Sequence, residues 1–176
     1  DDKKYETVYW SKYKKYYYSG DYAKKDNDNY IWLLGRADDV LKVAGHRIGT
    51  AELESCIVSH NDVVESAVCG IPDDIKGEVI VAFVILKIGI SSSNTLENEI
   101  SNKIRNDIGA IATPSQIYFV SKLPKTRSGK IMRRLLKSIA NNEKIGDTST
   151  LEDSTAVTEV QSEFDEIQKI IKEKSN

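Results

Sequence analysis

The chain has 176 residues, 40% hydrophobic and 30% charged, which allows one sizeable core with appended segments. Its formal net charge is −2, so no global field recruits nucleic acid or an acidic membrane, and any anion site must be local. No apolar run approaches the ~20 residues that cross a bilayer, and Cys56 and Cys69 sit in apolar surroundings without metal-ligand spacing, which reads as reduced, buried thiols of a cytosolic protein.

The chain begins Asp1-Asp2-Lys3-Lys4, with neither an initiator methionine nor an apolar signal core, and this predicts an internal start within a longer polypeptide. Residues 5–18, crowded with Tyr, Trp and Lys, predict a short helix running into a strand at 16–19. Residues 22–29 are polar and turn-like, 30–34 read as a strand, and 40–43 as a short strand before a turn at Gly45. Thr50 is the expected N-cap of a helix with Glu52 and Glu54 in its first turn, carrying Leu53, Ile57 and Val58 inward and stopping near His60. The β-branched runs 63–71 and 79–86 predict two strands separated by Pro72-Asp73-Asp74 and Gly77. Leu96, Ile100, Ile104 and Ile108 recur every four residues, as one face of a helix does. A strand at 116–120 and a helix at 131–139 follow, with Ile131, Leu135, Leu136 and Ile139 on one side. Residues 141–156 read as a surface strap, and helical spacing returns at Val157, Val160, Phe164, Ile167 and Ile171. The pattern is a small α+β domain, a short sheet packed by helices. Residues 1–37 belong to a preceding body and the approach to a hinge, 38–145 to the domain itself, and 146–176 to a tail with an amphipathic helix.

Two segments carry chemistry. Pro124-Lys125-Thr126-Arg127-Ser128-Gly129-Lys130 places a lysine on a loop of small residues at the head of a basic amphipathic segment, where an ammonium can reach an anionic centre and withdraw. Gly35-Arg36-Ala37-Asp38-Asp39 runs into Lys42-Val43-Ala44-Gly45-His46-Arg47-Ile48-Gly49 about ninety residues upstream. Together they indicate an enzyme that handles a nucleotide phosphate. The lysine loop lacks the upstream glycine and spacing of a phosphate-binding P-loop. Lys122, Lys125, Arg127, Lys130, Arg133, Arg134 and Lys137 also allow a non-catalytic, nucleic-acid-binding reading, but aromatic residues do not interleave them and the net charge opposes it.

These motifs, with Gly109-Ala110-Ile111-Ala112-Thr113-Pro114, resemble the carboxy-terminal lid domain of the AMP-forming acetyl-CoA synthetases, within the adenylate-forming ligases. The resemblance covers nearly the whole chain. It implies a two-step reaction, in which acetate and ATP give acetyl-AMP and pyrophosphate, and CoA then takes the acetyl group and releases AMP. By the same resemblance Lys130 is the catalytic lysine and Asp38 the hinge. Asp21, Arg36 and Arg47 contact ATP or AMP, although Tyr22 stands where the family has glycine after the aspartate. Ala44, Gly45 and Arg105 contact CoA, and Val58, His60 and Val63 resemble a cation site, with Mg2+ as its ion and as the companion of ATP.

The implied partners are an amino-terminal domain of the same polypeptide, the substrates acetate, ATP and CoA, and an acetyltransferase and deacetylase acting on Lys130. No nucleic acid or membrane is implied. The implied compartment is the cytoplasm, with the nucleus as a second. The fragment alone is expected to be inactive, and propionate or another short acid is the alternative substrate, because the acyl pocket belongs to the amino-terminal domain. A regulatory interaction module is the alternative of another class.

Overall fold

The computed structural model describes residues 1–37, 39–146, 148–153 and 155–174, and the chain divides into two compact units, Asp1–Val40 and Leu41–Asn176. The first opens with α1 (Asp2–Tyr9), whose N-terminus is capped by the Asp1 carboxylate accepting from the Lys4 amide. Residues 16–19 do not form the expected strand. Their rings pack instead on α1 and its exit: Tyr17 stacks on Tyr9 at 4.9 Å between centroids and meets Trp10 edge-on at 5.8 Å. The strand begins later, as β1 (Asp21–Lys25), paired antiparallel with β2 (Ile31–Arg36). The polar stretch is therefore half strand, and its turn is confined to residues 26–29. There Asp26 accepts from the amides of Asp28 and Tyr30 at 3.0 and 2.9 Å and from the Trp32 indole at 2.8 Å.

The second unit is a five-stranded sheet between two pairs of helices. Its strands are β3 (Leu41–Val43), β4 (His46–Ile48), β5 (Val63–Asp73), β6 (Gly77–Leu86) and β7 (Gln116–Phe119), in the order β4-β3-β6-β5, with β7 parallel to β6. Central β6 reads as one apolar run because both of its faces are covered. Ile80, Ala82 and Val84 face α2 (Thr50–Val58) and α3 (Asn94–Asp107). Val81 and Phe83 face α4 (Arg133–Ala140) and α5 (Thr155–Lys174).

Helix faces follow the four-residue spacing. Leu53 and Ile57 are fully buried, as are Ile100 and Ile104, and each such side chain contributes roughly 1.5–3 kcal/mol by leaving water. Val58, one residue past Ile57, is rotated about 100° off that face and is 41% exposed, contrary to expectation. Gly49, with extended backbone, occupies the N-cap position expected for Thr50, which is the first helical residue and is buried. α4 starts at Arg133 rather than 131, because Ile131 is bridged to Lys125 and the Met132 amide is held by the Pro124 carbonyl at 2.8 Å. The segment read as a surface strap sends Leu151 inward, and α5 buries Val157, Val160 and Phe164 in the cluster that holds Leu135, Leu136 and Ile139.

Candidate functional site

Two loops of the second unit present the residues singled out in the sequence. The first is the β3–β4 hairpin. Val43 pairs with His46, leaving Ala44 and Gly45 as a two-residue turn with φ of 47° and 83°. Positive φ at both central positions matches the twist of a tight hairpin. An added Cβ on Gly45 would meet nothing within 4 Å, so the glycine here answers a backbone demand. The Ala44 amide donates to the Lys76 carbonyl at 2.8 Å, and its carbonyl lies 3.2 Å from His46 Nδ1. Arg47 is exposed on β4, opposite Lys42. Beside Ala44 lies a groove of about 430 Å³ lined by Val43, Lys76, Ala110, Thr113 and Pro114. The motif at 109–114 thus meets the Ala44 turn, which sequence separation hides. The buried Thr113 Oγ1 has no hydrogen-bond partner among the described residues.

The second loop is the lysine hairpin. The Thr126 amide donates to the Lys130 carbonyl at 2.9 Å and the Gly129 amide to the Thr126 carbonyl at 2.8 Å, with Gly129 at φ 78°. Thr126 Oγ1 accepts from the Lys130 amide at 3.2 Å and meets Ser128 Oγ at 3.0 Å, so the small hydroxyl residues brace the turn from within. The Lys130 side chain is exposed, and among the described residues no ion pair engages its ammonium.

The bases of these loops are tied to opposite ends of β6. Val43 pairs with Gly77 at its start, whereas Lys125 pairs at 2.8 Å with Glu65, which lies opposite Ile85 near its end. The anchor points are about 26 Å apart at the rise of an extended strand. Two further ionic contacts join α4 to the rest of the unit. The Arg133 guanidinium forks onto Glu54 of α2, with Nε donating to Oε1 at 2.8 Å, and Oε1 also accepts from the Val68 amide at 2.9 Å. Glu78 accepts from Lys137 at 3.3 Å and from the Lys42 amide at 2.7 Å, next to the Ala44 turn. In the sequence Glu54 reads as a helix-dipole charge, and neither Glu78 nor Arg133 points to a partner. Complementary charge is the one available signal, and it does not say which charges meet.

In the first unit, Asp21 and Arg36 are register partners across β1 and β2, with carboxylate and guanidinium 3.5 Å apart. Arg36 also donates to the Ser19 carbonyl at 2.9 Å, and the buried Gly20 leaves room for it, since a Cβ there would lie 2.7 Å from the guanidinium. Asp38 lies outside the described residues. Arg105 is exposed in the last turn of α3, with no ion pair among the described residues.

Val58, His60 and Val63 share the turn after α2, closed by the Val63 amide donating to the His60 carbonyl at 3.2 Å. His60 Nδ1 accepts from the Asp62 amide at 3.2 Å, which puts the ring proton on Nε2, 3.6 Å from Glu99. The ring then has no free lone pair to offer a cation, and the His60 carbonyl is engaged by the Val63 amide. Among the described residues no group of three or more His, Cys, Asp or Glu gathers as a metal site. Neither thiol suits a nucleophile: burial pushes Cys69 up to about 12, and burial followed by the nearby Asp107 carboxylate raises Cys56.

Residues 52–130 match the sequence profile described as the AMP-binding enzyme C-terminal domain. Over 167 residues the chain is 58% identical to an acetyl-coenzyme A synthetase of Pyrobaculum aerophilum, covering 95% of this chain and 25% of that protein. It is 48% identical over 169 residues to a 3-hydroxypropionyl-coenzyme A synthetase of Sulfurisphaera tokodaii, covering 96% and 26%. The chain therefore spans about a quarter of the length of the curated relatives it matches. Among solved structures, the anthranilate CoA ligase AuaEII in complex with anthranoyl-AMP superposes with a TM-score of 0.71 at 35% identity, over 81% of this chain and 27% of that one. With its motifs on two loops of one helix-flanked sheet, residues 52–130 of the chain belong to the AMP-binding enzyme C-terminal domain family.

Proposed function

We propose that the chain is the carboxy-terminal lid of an AMP-forming acetate–CoA ligase, acting with an amino-terminal domain of the same polypeptide. The observation that carries this reading is the anchoring of the Lys130 hairpin and the Ala44-Gly45 turn at opposite ends of β6. Two loops so placed serve one reaction centre in turn, which is what a two-step ligase with a rotating lid requires.

In the first step an acetate oxygen attacks the α-phosphorus of ATP and the bond to pyrophosphate breaks. Negative charge gathers on oxygens that the exposed Lys130 ammonium can bridge. Asp21 accepts from the ribose hydroxyls, with Arg36 beside it on the nucleotide, and Arg47 meets the phosphates. The lid then turns about Asp38. The CoA thiolate attacks the acetyl carbonyl, AMP leaves, and the side-chain-free Gly45 and the backbone of Ala44 lie along the thiol arm, with Arg105 on the 3′-phosphate. Cytoplasmic residence belongs to the same proposal; among the described residues no helix is long and apolar enough to cross a membrane.

Lys130→Ala in the full-length enzyme tests the assignment. Acetyl-AMP formation should fall at least ~100-fold, as when a group stabilising developing charge is removed, while thioester formation from supplied acetyl-AMP is largely spared. Equal loss in both half-reactions refutes the role. Acetylation of Lys130 by a partner acetyltransferase would remove the same charge, and mass spectrometry of the native enzyme checks it. A structural Mg2+ at the Val58, His60 and Val63 turn rests on its carbonyl donors. Millimolar Mg2+ should raise the melting temperature, and an unchanged melt removes the site. The 48% identity to a 3-hydroxypropionyl-coenzyme A synthetase favours one second reading, a different short acid as substrate. Full-length kinetics with acetate, propionate and 3-hydroxypropionate decide between them.

A further inference from the structure

The lysine hairpin is narrow. Between residues 124 and 132 its two arms are joined by the Thr126–Lys130 and Met132–Pro124 backbone hydrogen bonds, with the remaining bonds confined to the turn around Thr126, and a two-stranded hairpin of this size is marginal in water. Its outer edge is not left open, however. The Arg127 amide donates to the Thr150 carbonyl at 3.2 Å, the Glu152 amide donates to the Lys125 carbonyl at 2.9 Å, and Thr126 is bridged to Leu151 between them. Residues 150–152 thus pair, through a single antiparallel bridge and its two backbone hydrogen bonds, with the arm that leads to Lys130.

This bridged segment is anchored independently of the hairpin. Leu151 is 7% exposed, within the cluster of Leu123, Leu135, Leu136, Val160 and Phe164. The Asp153 carboxylate accepts from the Thr155 amide at 2.8 Å, and Lys122 reaches Asp153 at 3.6 Å and Glu159 at 3.1 Å. The segment is therefore pinned to the hydrophobic core on one side and, through Lys122, to α5 on the other, and it passes that fixity to a turn whose tip is exposed.

We propose that residues 150–152 are a positioning element for Lys130, setting the aim of its ammonium during adenylation through the Glu152 amide and the Leu151 anchor. The segment touches no substrate and acts through the hairpin. The inference rests on the assignment of Lys130 to adenylation. A displacement of about an ångström at a positioned catalytic group lowers rate by as much as ~100-fold, so loosening the hairpin should be visible in one half-reaction alone.

The test is Glu152→Pro in the full-length enzyme, which deletes the amide donor while leaving the exposed position and the core side chains in place; Glu152→Ala keeps the amide and is the conservative control. Glu152→Pro should lower acetyl-AMP formation by ~10–100-fold and leave thioester formation from supplied acetyl-AMP within about twofold, with Glu152→Ala close to the parent in both. Leu151→Ala, which loosens the anchor instead of the hydrogen bond, should show the same split and replaces the proline variant if that one fails to fold. Adenylation unchanged in the loosened variants, while Lys130→Ala abolishes it, overturns the positioning role alone. Parallel loss in both half-reactions also overturns it, because the segment would then serve only general stability. Adenylation that survives Lys130→Ala overturns the lysine assignment and this inference with it.

Discussion

Gly45 shows how much one backbone angle asks of a residue. At φ 83° an L side chain is strained although the space around its Cβ is empty. Gly45→Ala should therefore destabilise the chain by about 1 kcal/mol, lowering the melting temperature by roughly 2–4 °C, and an unchanged melt would show that the turn adapts freely. Gly45→Leu adds bulk to the same backbone strain, so its comparison with Gly45→Ala reads the effect of the side chain. On the proposed ligase reading, in the full-length protein it should impair thioester formation while leaving acetyl-AMP formation largely intact, and loss of adenylation instead would remove Gly45 from the proposed CoA step. The glycine is legible in the sequence as a turn, because few other residues accept that conformation. The partner of Arg36 is not legible, since the Asp21 contact depends on a strand register set by the Asp26 turn ten residues before Arg36.

At the scale of elements, four-residue apolar spacing is enough to locate α3 and the buried side of α4, because burial of one helical face imposes that period. Boundaries are less legible where tertiary hydrogen bonds override local preference. Ile131 has a helical pattern but is held extended by Lys125, and the aromatic run at 16–19 gives up strand pairing for ring contacts with residues near α1. The junction between α4 and α2 rests on the Arg133–Glu54 pair, whose side chains are 23% and 12% exposed. Arg133→Met takes the guanidinium from the Glu54 carboxylate and leaves it the Val68 amide as donor. This change should cost about 2 kcal/mol, read as a lower urea midpoint at unchanged slope, and a loss below ~0.5 kcal/mol would class the pair with weak surface contacts.

For the whole molecule, the described residues after 145 decide where the domain ends. The expected boundary at 145 leaves them as a tail, but Leu151, Val157, Val160 and Phe164 fill one of the two layers that flank the sheet, and Phe164 packs on Tyr118 at 4.9 Å. Phe164→Ala should cost roughly 3–5 kcal/mol, and a variant of the chain ending at 145 should lose its cooperative melt. A sharp, unshifted transition in the shortened chain would restore the tail reading.

By itself the sequence located the two motif-bearing loops and most of the faces that go inward, because turn residues, helical period and motif spacing are local properties that survive without a partner. Tertiary structure alone decided three things: that the Lys130 and Gly45 loops are tied to opposite ends of one strand, that residues 150–152 close the lysine hairpin, and that Glu54 and Glu78 hold α4. Each depends on pairing between residues tens of positions apart. Which partner wins there is settled by sheet register and shared burial, and neither leaves a period in the chain.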